Sequence, residues 1–284
     1  MELVHNELID LQKRHIMAII NVTPDSFYEG SRTASSETIE QRIVEAVEAG
    51  ATILDIGGYS SRPAATAVEI EEEWRRVALG CEVARSVAPT VAISIDTFRS
   101  EIVRRTVERF GAIIVNDITA GEGDREMVSV VAQYRLPYVA MHMRGTPETM
   151  QSLTQYNNVV DDVVEYFKER VATLRKAGVE QIVIDPGFGF AKSLEQNYEL
   201  LAGLDRLKEI GCPVLVGVSR KSMIYRAIGC EPSEALPATI ALGWEALSRG
   251  ATILRVHDTA EAVQSLRIFE IYNKVLKGDL TGND

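Results

Sequence analysis

Eight short apolar runs recur along the chain, at residues 16–21, 51–58, 91–97, 112–118, 138–143, 181–187, 213–219 and 251–258. At the downstream ends stand polar residues able to hold a ligand: Asn21, Asp55, Asp96, Asn116, His142, Asp185, Ser219 with Arg220 and Lys221, and Arg255 with His257. Runs this apolar are buried on both faces, which requires parallel pairing with helical crossovers. The intervening segments supply them, with helical period at 37–49, 68–87, 99–110, 159–177, 194–210 and 260–275. Ile39, Ile43, Val44 and Val47, for example, fall on one helical face. Eight alternations of this kind predict an α/β fold, the (β/α)8 TIM barrel, with its active site at the C-terminal rim of the strands.

The 284 residues exceed the roughly 250 typical of that barrel, so one domain over 1–284 is expected. The excess falls in two rim connections, 21–35 and 58–67, and a tail at about 277–284. Long connections in a compact barrel usually serve as lids or binding loops. Gly50-Ala51-Thr52-Ile53-Leu54 returns as Gly250-Ala251-Thr252-Ile253-Leu254, with 111–115 as a variant. Each glycine ends a helix before a β-branched strand, a shared local mechanic that needs no duplication of half-barrels.

A formal charge of −11 opposes a nucleic-acid or anionic-membrane surface, since such binding needs a basic stripe. Yet Arg62, Lys192, Arg220, Lys221, Arg255 and His257 all fall at strand ends. A basic mouth on an acidic protein suits a small anionic substrate. Cys81, Cys212 and Cys230 are odd in number and lack metal-ligand spacing, which fits reduced thiols in the cytoplasm. The N-terminal residues carry acids without a secretory apolar core, and no run has transmembrane length.

In Asp185-Pro186-Gly187-Phe188-Gly189-Phe190 a carboxylate closes a buried strand before a proline that cannot extend the ladder. Such a carboxylate either accepts two parallel N–H bonds from a pterin- or guanine-like edge or caps the next helix. Asp96 and Asn116 stand at the same level on adjacent strands, and three such groups at one depth match a flat heterocycle. Ser219 to Ser222 opens a helix, where backbone N–H groups favour an anion. Arg255 and His257, two residues apart, point to one side of their strand. Arg220 reads either as an anion ligand or as a solvated charge. His142, between Met141 and Met143, reads as a hydrogen-bonded core residue. Neither an HExxH pattern nor a Walker A or GxGxxG loop occurs, which argues against a caged zinc, ATP and dinucleotides.

Asn21-Val22-Thr23-Pro24-Asp25-Ser26-Phe27, Asp55 to Pro63, Ile95-Asp96-Thr97, Asn116-Asp117-Ile118, Met141-His142-Met143, Asp185 to Phe190, Ser219 to Ser222 and Arg255 to Asp258 together resemble the dihydropteroate synthases. All eight strand ends match in family order. The resemblance implies condensation of 6-hydroxymethyl-7,8-dihydropterin diphosphate with 4-aminobenzoate in folate synthesis, by a dissociative displacement, in a homodimer. It implies that Asp96, Asn116, Asp185 and Lys221 hold the pterin with Arg255 against its face. It implies that Asn21, Arg62 and His257 hold the diphosphate, with Mg2+ on Asn21. Phe27, Ser61, Pro63, Phe190 and Ser222 are then expected to shape the aminobenzoate pocket, and Asp96, Lys221, Arg255 and His257 to serve catalysis.

Two positions depart from the commonest family pattern, which has Glu and Thr where this chain has Tyr59 and Ser61. Lys192 lies in the family motif, and a solvated lysine at a helix start explains it equally well. A pterin-binding methyltransferase would share Asp96, Asn116 and Asp185 but has no need of the 21–27 motif, Ser60 to Pro63 or Ser219 to Ser222. A non-catalytic pterin-binding paralogue would be expected to lose diphosphate ligands, and Asn21, Arg62, Lys221 and His257 are all in place. The apolar stretch 240–247 serves either core helix packing or a dimer contact, with core packing favoured.

Overall fold

A computed structural model describes residues 8–22, 32–59 and 68–278. Strand β1 (His15–Asn21) leads to α1 (Arg32–Ala49), β2 (Ile53–Gly57), α2 (Ile70–Val87), β3 (Ala92–Asp96), α3 (Ser100–Phe110), β4 (Ile114–Asp117), α4 (Met127–Tyr134) and β5 (Tyr138–Met141). The second half runs through α5 (Val159–Lys176), β6 (Ile182–Asp185), α6 (Leu194–Ala202), β7 (Leu215–Val216), α7 (Ser222–Ile228), α8 (Leu236–Ser248), β8 (Ile253–Val256) and α9 (Thr259–Lys277). All the ladders are parallel, in the order β6-β5-β4-β3-β2-β1-β8-β7. A parallel bridge between Ile184 and Val214 joins the two ends, so the sheet closes into the (β/α)8 barrel.

Alternation along each strand divides the apolar residues between two cores. Met17, Ile53, Ala92, Ile114, Val139, Val183, Leu215 and Ile253, one from each strand, fill the barrel interior, and Ile9 plugs its floor. The opposite faces, among them Ile16, Leu54, Ile93, Val115, Tyr138 and Ile184, pack beneath the helices. Burying each such side chain stabilises the fold by roughly 1.5–3 kcal/mol. An apolar floor leaves the upper interior, at the C-terminal strand ends, for polar side chains.

Some boundaries differ from the periodic reading. Helix α1 begins at Arg32, so the first rim connection is shorter than 21–35. Its opening residues Arg32 to Ser36 are polar or small and give no apolar period. The segment 194–210 is not one helix: α6 ends at Gly203, and a 3-10 helix spans Leu204–Ile210. Glycine is a poor interior helix residue, and at Gly203 an added Cβ would sit 2.7 Å from Val160 of α5. Gly50, Gly111 and Gly250 have φ of 104°, 83° and 108°, the positive range expected where each helix gives way to a strand. Cys81, Cys212 and Cys230 are free thiols. No helix among the described residues is long and apolar enough to cross a membrane.

Candidate active site

Register places the polar residues in layers. Asn21, Gly57, Asp96 and Asn116 are successive partners across β1 to β4, so their side-chain positions share one level and one face. Asp55 lies one layer deeper, opposite Ile19 and Ser94. Gly57 keeps the upper layer open: a Cβ there would come within 3.7 Å of Asp96 Oδ2 and 3.8 Å of Asn21 Oδ1. Asn116 points inward, whereas its neighbour Asp117 is buried on the other side and accepts from Tyr138, Thr119 and Gly121. The alternation of a strand therefore separates an inward-facing candidate residue from a structural one in the pair Asn116-Asp117.

Arg255 reaches across the interior from β8. Its Nε donates to Asp55 Oδ2 at 2.6 Å and its Nη2 to Asp96 Oδ2 at 2.7 Å. Burial disfavours the guanidinium charge, and the Asp55 and Asp96 carboxylates outweigh it, so its pKa is raised. Burial pushes the Asp96 carboxyl up, with Arg255 opposing the rise and Asp55 adding to it. Asn116 Nδ2 donates to the same Asp55 Oδ2 at 3.0 Å. Asp55 is fully buried, and its Oδ1 has no hydrogen-bond partner among the described residues. Asp55 thus organises two expected ligand residues, a role that its place at a strand end signalled without defining.

Asp185, at the end of β6, accepts from the Gly187 N–H at 2.8 Å. It ties down its own loop and does not cap the next helix: α6 is capped by Ser193, whose side chain accepts from the Gln196 N–H, so the helix-cap reading is corrected. Burial raises its pKa, against the lowering influence of Lys221. Lys221 Nζ donates to the Phe188 carbonyl at 2.6 Å and stands 4.9 Å from the centre of the Phe190 ring. Burial lowers the Lys221 ammonium to about 8, with Asp185 pulling it back up. A Cβ on Gly217 would lie 3.8 Å from Arg255 Cβ and 3.9 Å from Lys221 Nζ, so both cations border that backbone. Asp96, Asn116, Lys221 and Arg255 thus lie with Asp185 at the C-terminal strand ends, linked by hydrogen bonds and charge, a mixed set of donors and acceptors suited to a flat heterocycle.

Other expected residues lie at the edge. His257 is exposed, and its Nδ1 lies 3.1 Å from Ser219 Oγ at the end of β7. Asn21 is half-buried at the end of β1. Ser222 starts α7, and Phe190 is half-buried beside Lys221. Phe27, Ser61, Arg62 and Pro63, with most of both rim connections, lie outside the described residues. Tyr59 meets Phe98 edge-on at 5.2 Å and lies 5.4 Å from the Arg99 guanidinium, so an aromatic and cation–π contact occupies the position of the family's acid.

Two readings of cations need correction. Arg220 is not simply solvated: its Nε and Nη2 grip both Asp258 oxygens at 2.8 and 2.7 Å, and Nη1 reaches the Pro232 and Ser233 carbonyls. Such a fork ties the start of α7 to the end of β8. Lys192 is not a solvated lysine at a helix start but a buried one, bonded to His142 Nδ1 at 3.1 Å. His142 packs edge-on against Tyr166 of α5, on the helix side of β5, as a hydrogen-bonded core residue.

The pterin binding enzyme family matches residues 17–257. The Escherichia coli K12 dihydropteroate synthase is 41% identical over 266 residues, covering 92% of this chain and 93% of that one. The Synechocystis enzyme of the same name is 40% identical over 269 residues, covering 93% and 92%. The Xanthomonas albilineans dihydropteroate synthase with 4-aminobenzoic acid superposes with a TM-score of 0.85 at 40% identity, over 93% of this chain and 95% of that one. The same enzyme in complex with 7,8-dihydropteroate gives a TM-score of 0.82 at 38% identity, with the same coverage. A polar ring on an apolar barrel floor, a family match over most of the strands and near-full-length relatives of one activity agree: the chain belongs to the pterin-binding enzymes, and within them to the dihydropteroate synthases.

Proposed function

We propose that this chain joins 6-hydroxymethyl-7,8-dihydropterin diphosphate to 4-aminobenzoate, releasing diphosphate and forming 7,8-dihydropteroate. The observation that carries the reading is the convergence of Asp96, Asn116, Asp185, Lys221 and Arg255 at the C-terminal strand ends. Asp185 accepts from the amino and ring N–H groups of the pterin, Asp96 and Asn116 take the opposite edge, and Lys221 donates to a ring acceptor. Arg255, already fixed by Asp55, lies against the ring face. The bond that breaks joins the pterin methylene carbon to the diphosphate oxygen, and the dihydropterin ring delocalises the positive charge left on that carbon. Asp96 and Asp185 favour that cation electrostatically. The neutral arylamine then attacks and loses one proton, so positioning rather than a strong base carries the second half.

Asn21 and His257, with Arg62, hold the leaving diphosphate. No cluster of three metal-ligating side chains occurs among the described residues. Asn21, whose Oδ1 lies 3.8 Å from a Cβ built on Gly57, would hold a Mg2+ ion through that amide oxygen. When bound, Mg2+ supplies neutralisation of charge growing on the leaving group. Phe190 and Ser222, with Phe27, Ser61 and Pro63, form the aminobenzoate wall.

We further propose a homodimer. In the 240–247 stretch, Ala246 and Leu247 are buried in the core, in keeping with helix packing. The exposed apolar stripe is on α9: Ile268, Ile271, Tyr272, Val275 and Leu276 share one helical face and are 52–65% exposed. A second copy meeting it around a two-fold axis would cover the same residues on both chains. Light scattering of the protein and its Ile271→Glu variant tests this, and a monomeric parent would overturn it.

The activity is tested by diphosphate release with pterin diphosphate, 4-aminobenzoate and Mg2+, omitting one component at a time. Release that requires all three is expected. Equilibrium binding of labelled 4-aminobenzoate completes the test, with affinity rising once pterin and Mg2+-diphosphate are present, a coupling of about 1 to 3 kcal/mol. Tight binding to the free protein would overturn the expected coupling, and no binding in any combination would favour a non-catalytic paralogue.

A further inference from the structure

The loop between β6 and α6 makes an unusual demand on its backbone. Gly187, Gly189 and Ala191 all have positive φ, at 69°, 81° and 50°, and Phe188 and Ala191 are fully buried. Carbonyls turned inward by such a path need donors, because a buried acceptor without one costs about 1–3 kcal/mol. Lys192 supplies them. Its Nζ, on a side chain almost entirely buried, stands 3.0 Å from the Gly187 carbonyl, 3.0 Å from the Phe190 carbonyl and 3.1 Å from His142 Nδ1. An ammonium has three protons, and this one meets three acceptors.

His142 is suited to the third position. Burial, reinforced by the charges of Lys192 and Arg144, lowers its pKa to about 2, so the ring stays neutral and Nδ1 can accept. Burial also lowers the Lys192 ammonium to about 7, with the Asp185 carboxylate opposing the fall and Lys221 and Arg144 adding to it. The loop is braced from a second direction by Lys221 on the Phe188 carbonyl and by Asn197 Oδ1, which accepts from the Gly189 N–H. Phe190 itself is held at its N–H by the Gly187 carbonyl and at its carbonyl by Lys192.

We propose that Lys192 is a positioning residue for the arylamine half of the reaction: by joining the Gly187 and Phe190 carbonyls to His142, it fixes the backbone that presents the Phe190 ring to 4-aminobenzoate. It touches neither substrate. The proposal rests on the reading of Phe190 as part of the aminobenzoate wall. A methionine of similar length leaves the Phe190 carbonyl and the imidazole nitrogen without this donor, while the Gly187 carbonyl keeps the Phe190 N–H at 3.1 Å, and the loop relaxes at its Phe190 end. Asp185 keeps its bond from Gly187 N–H, so the pterin end is less affected.

The test is a double-mutant cycle with steady-state kinetics on Lys192→Met, Phe190→Ala and the double variant. Lys192→Met should raise the KM for 4-aminobenzoate at least tenfold while the KM for pterin diphosphate moves less than threefold. In the Phe190→Ala background the same change should move the aminobenzoate KM less than twofold, because its effect passes through the missing ring. His142→Asn, which keeps an acceptor at the Nδ1 position, should stay within threefold of the parent. Equal rises in both KM values, or unchanged values, would overturn the proposal. If Phe190→Ala raises the aminobenzoate KM but the two changes combine multiplicatively, the wall assignment stands and this inference fails. If Phe190→Ala alone has no effect, the wall assignment fails and this inference falls with it. Should Lys192→Met not fold, Lys192→Gln, which keeps two N–H donors but loses the third, should raise the aminobenzoate KM at least threefold with the pterin diphosphate KM unmoved, and should have no such effect in the Phe190→Ala background; unchanged values would overturn the proposal.

Discussion

Arg255 and Asp55, 200 residues apart in sequence, are joined at 2.6 Å across the barrel interior. The same Asp55 oxygen accepts from Asn116 at 3.0 Å, so one fully buried carboxylate orients two residues expected to hold the pterin. Asp55→Ala removes that anchor and leaves Arg255 with Asp96 as its remaining carboxylate. Breaking a buried pair from one side should cost about 3 kcal/mol of stability. Urea unfolding measures it, and turnover should fall at least tenfold. Parent-like stability would show that Asp55 is not the anchor.

Asp185→Asn replaces an acceptor with a group whose amide donors face pterin N–H groups. Pterin affinity should fall by about 2 to 5 kcal/mol, the range for a charge-assisted pair. Calorimetry with a pterin analogue checks this, and near-parent affinity would dismiss the assignment. Lys221→Ala should weaken both pterin binding and turnover, since its ammonium interacts with the Asp185 carboxylate and stands 4.9 Å from the centre of the Phe190 ring.

Gly187 and Gly189 share positive φ but not surroundings. A Cβ at Gly187 would fall 2.1 Å from the backbone oxygen of His142, which has no freedom to move. At Gly189 it would meet Lys221 Cδ at 3.3 Å, the middle of a flexible side chain. Gly187→Ala should therefore cost more than about 4 kcal/mol, and Gly189→Ala about 1–2 kcal/mol from the left-handed backbone alone. Thermal melts of the pair decide it, and equal losses would contradict the argument.

His142 links stability to acid. Its folded pKa of about 2 lies below the ordinary 6.5, so below pH 6.5 the unfolded chain takes up a proton that the folded chain refuses. Stability from this group is complete above pH 6.5 and is lost as pH falls towards 2. Replacing it by His142→Asn should shrink the loss of unfolding free energy between pH 7 and pH 5 by about 2 kcal/mol. An unchanged pH dependence in urea titrations would show that the imidazole is not held neutral.

The barrel was readable in the order of residues because strand and helix leave different apolar periods, and eight repetitions admit few topologies. Asp96, Asn116 and Asp185 were readable too, since a polar residue ending a doubly buried strand has few places to go but the rim. Local sequence also carries the glycines that end helices, because backbone sterics act within a few residues. Partnership is not local. Nothing near Asp55 states that it holds Arg255, and nothing near Lys192 states that its ammonium is buried against His142. Arg220, likewise, is a clamp because Asp258 and two carbonyls converge on it from other elements. Burial and charge pairing depend on which strands the closed sheet sets side by side, and long-range packing therefore decides which polar residues bind, which brace and which merely cap.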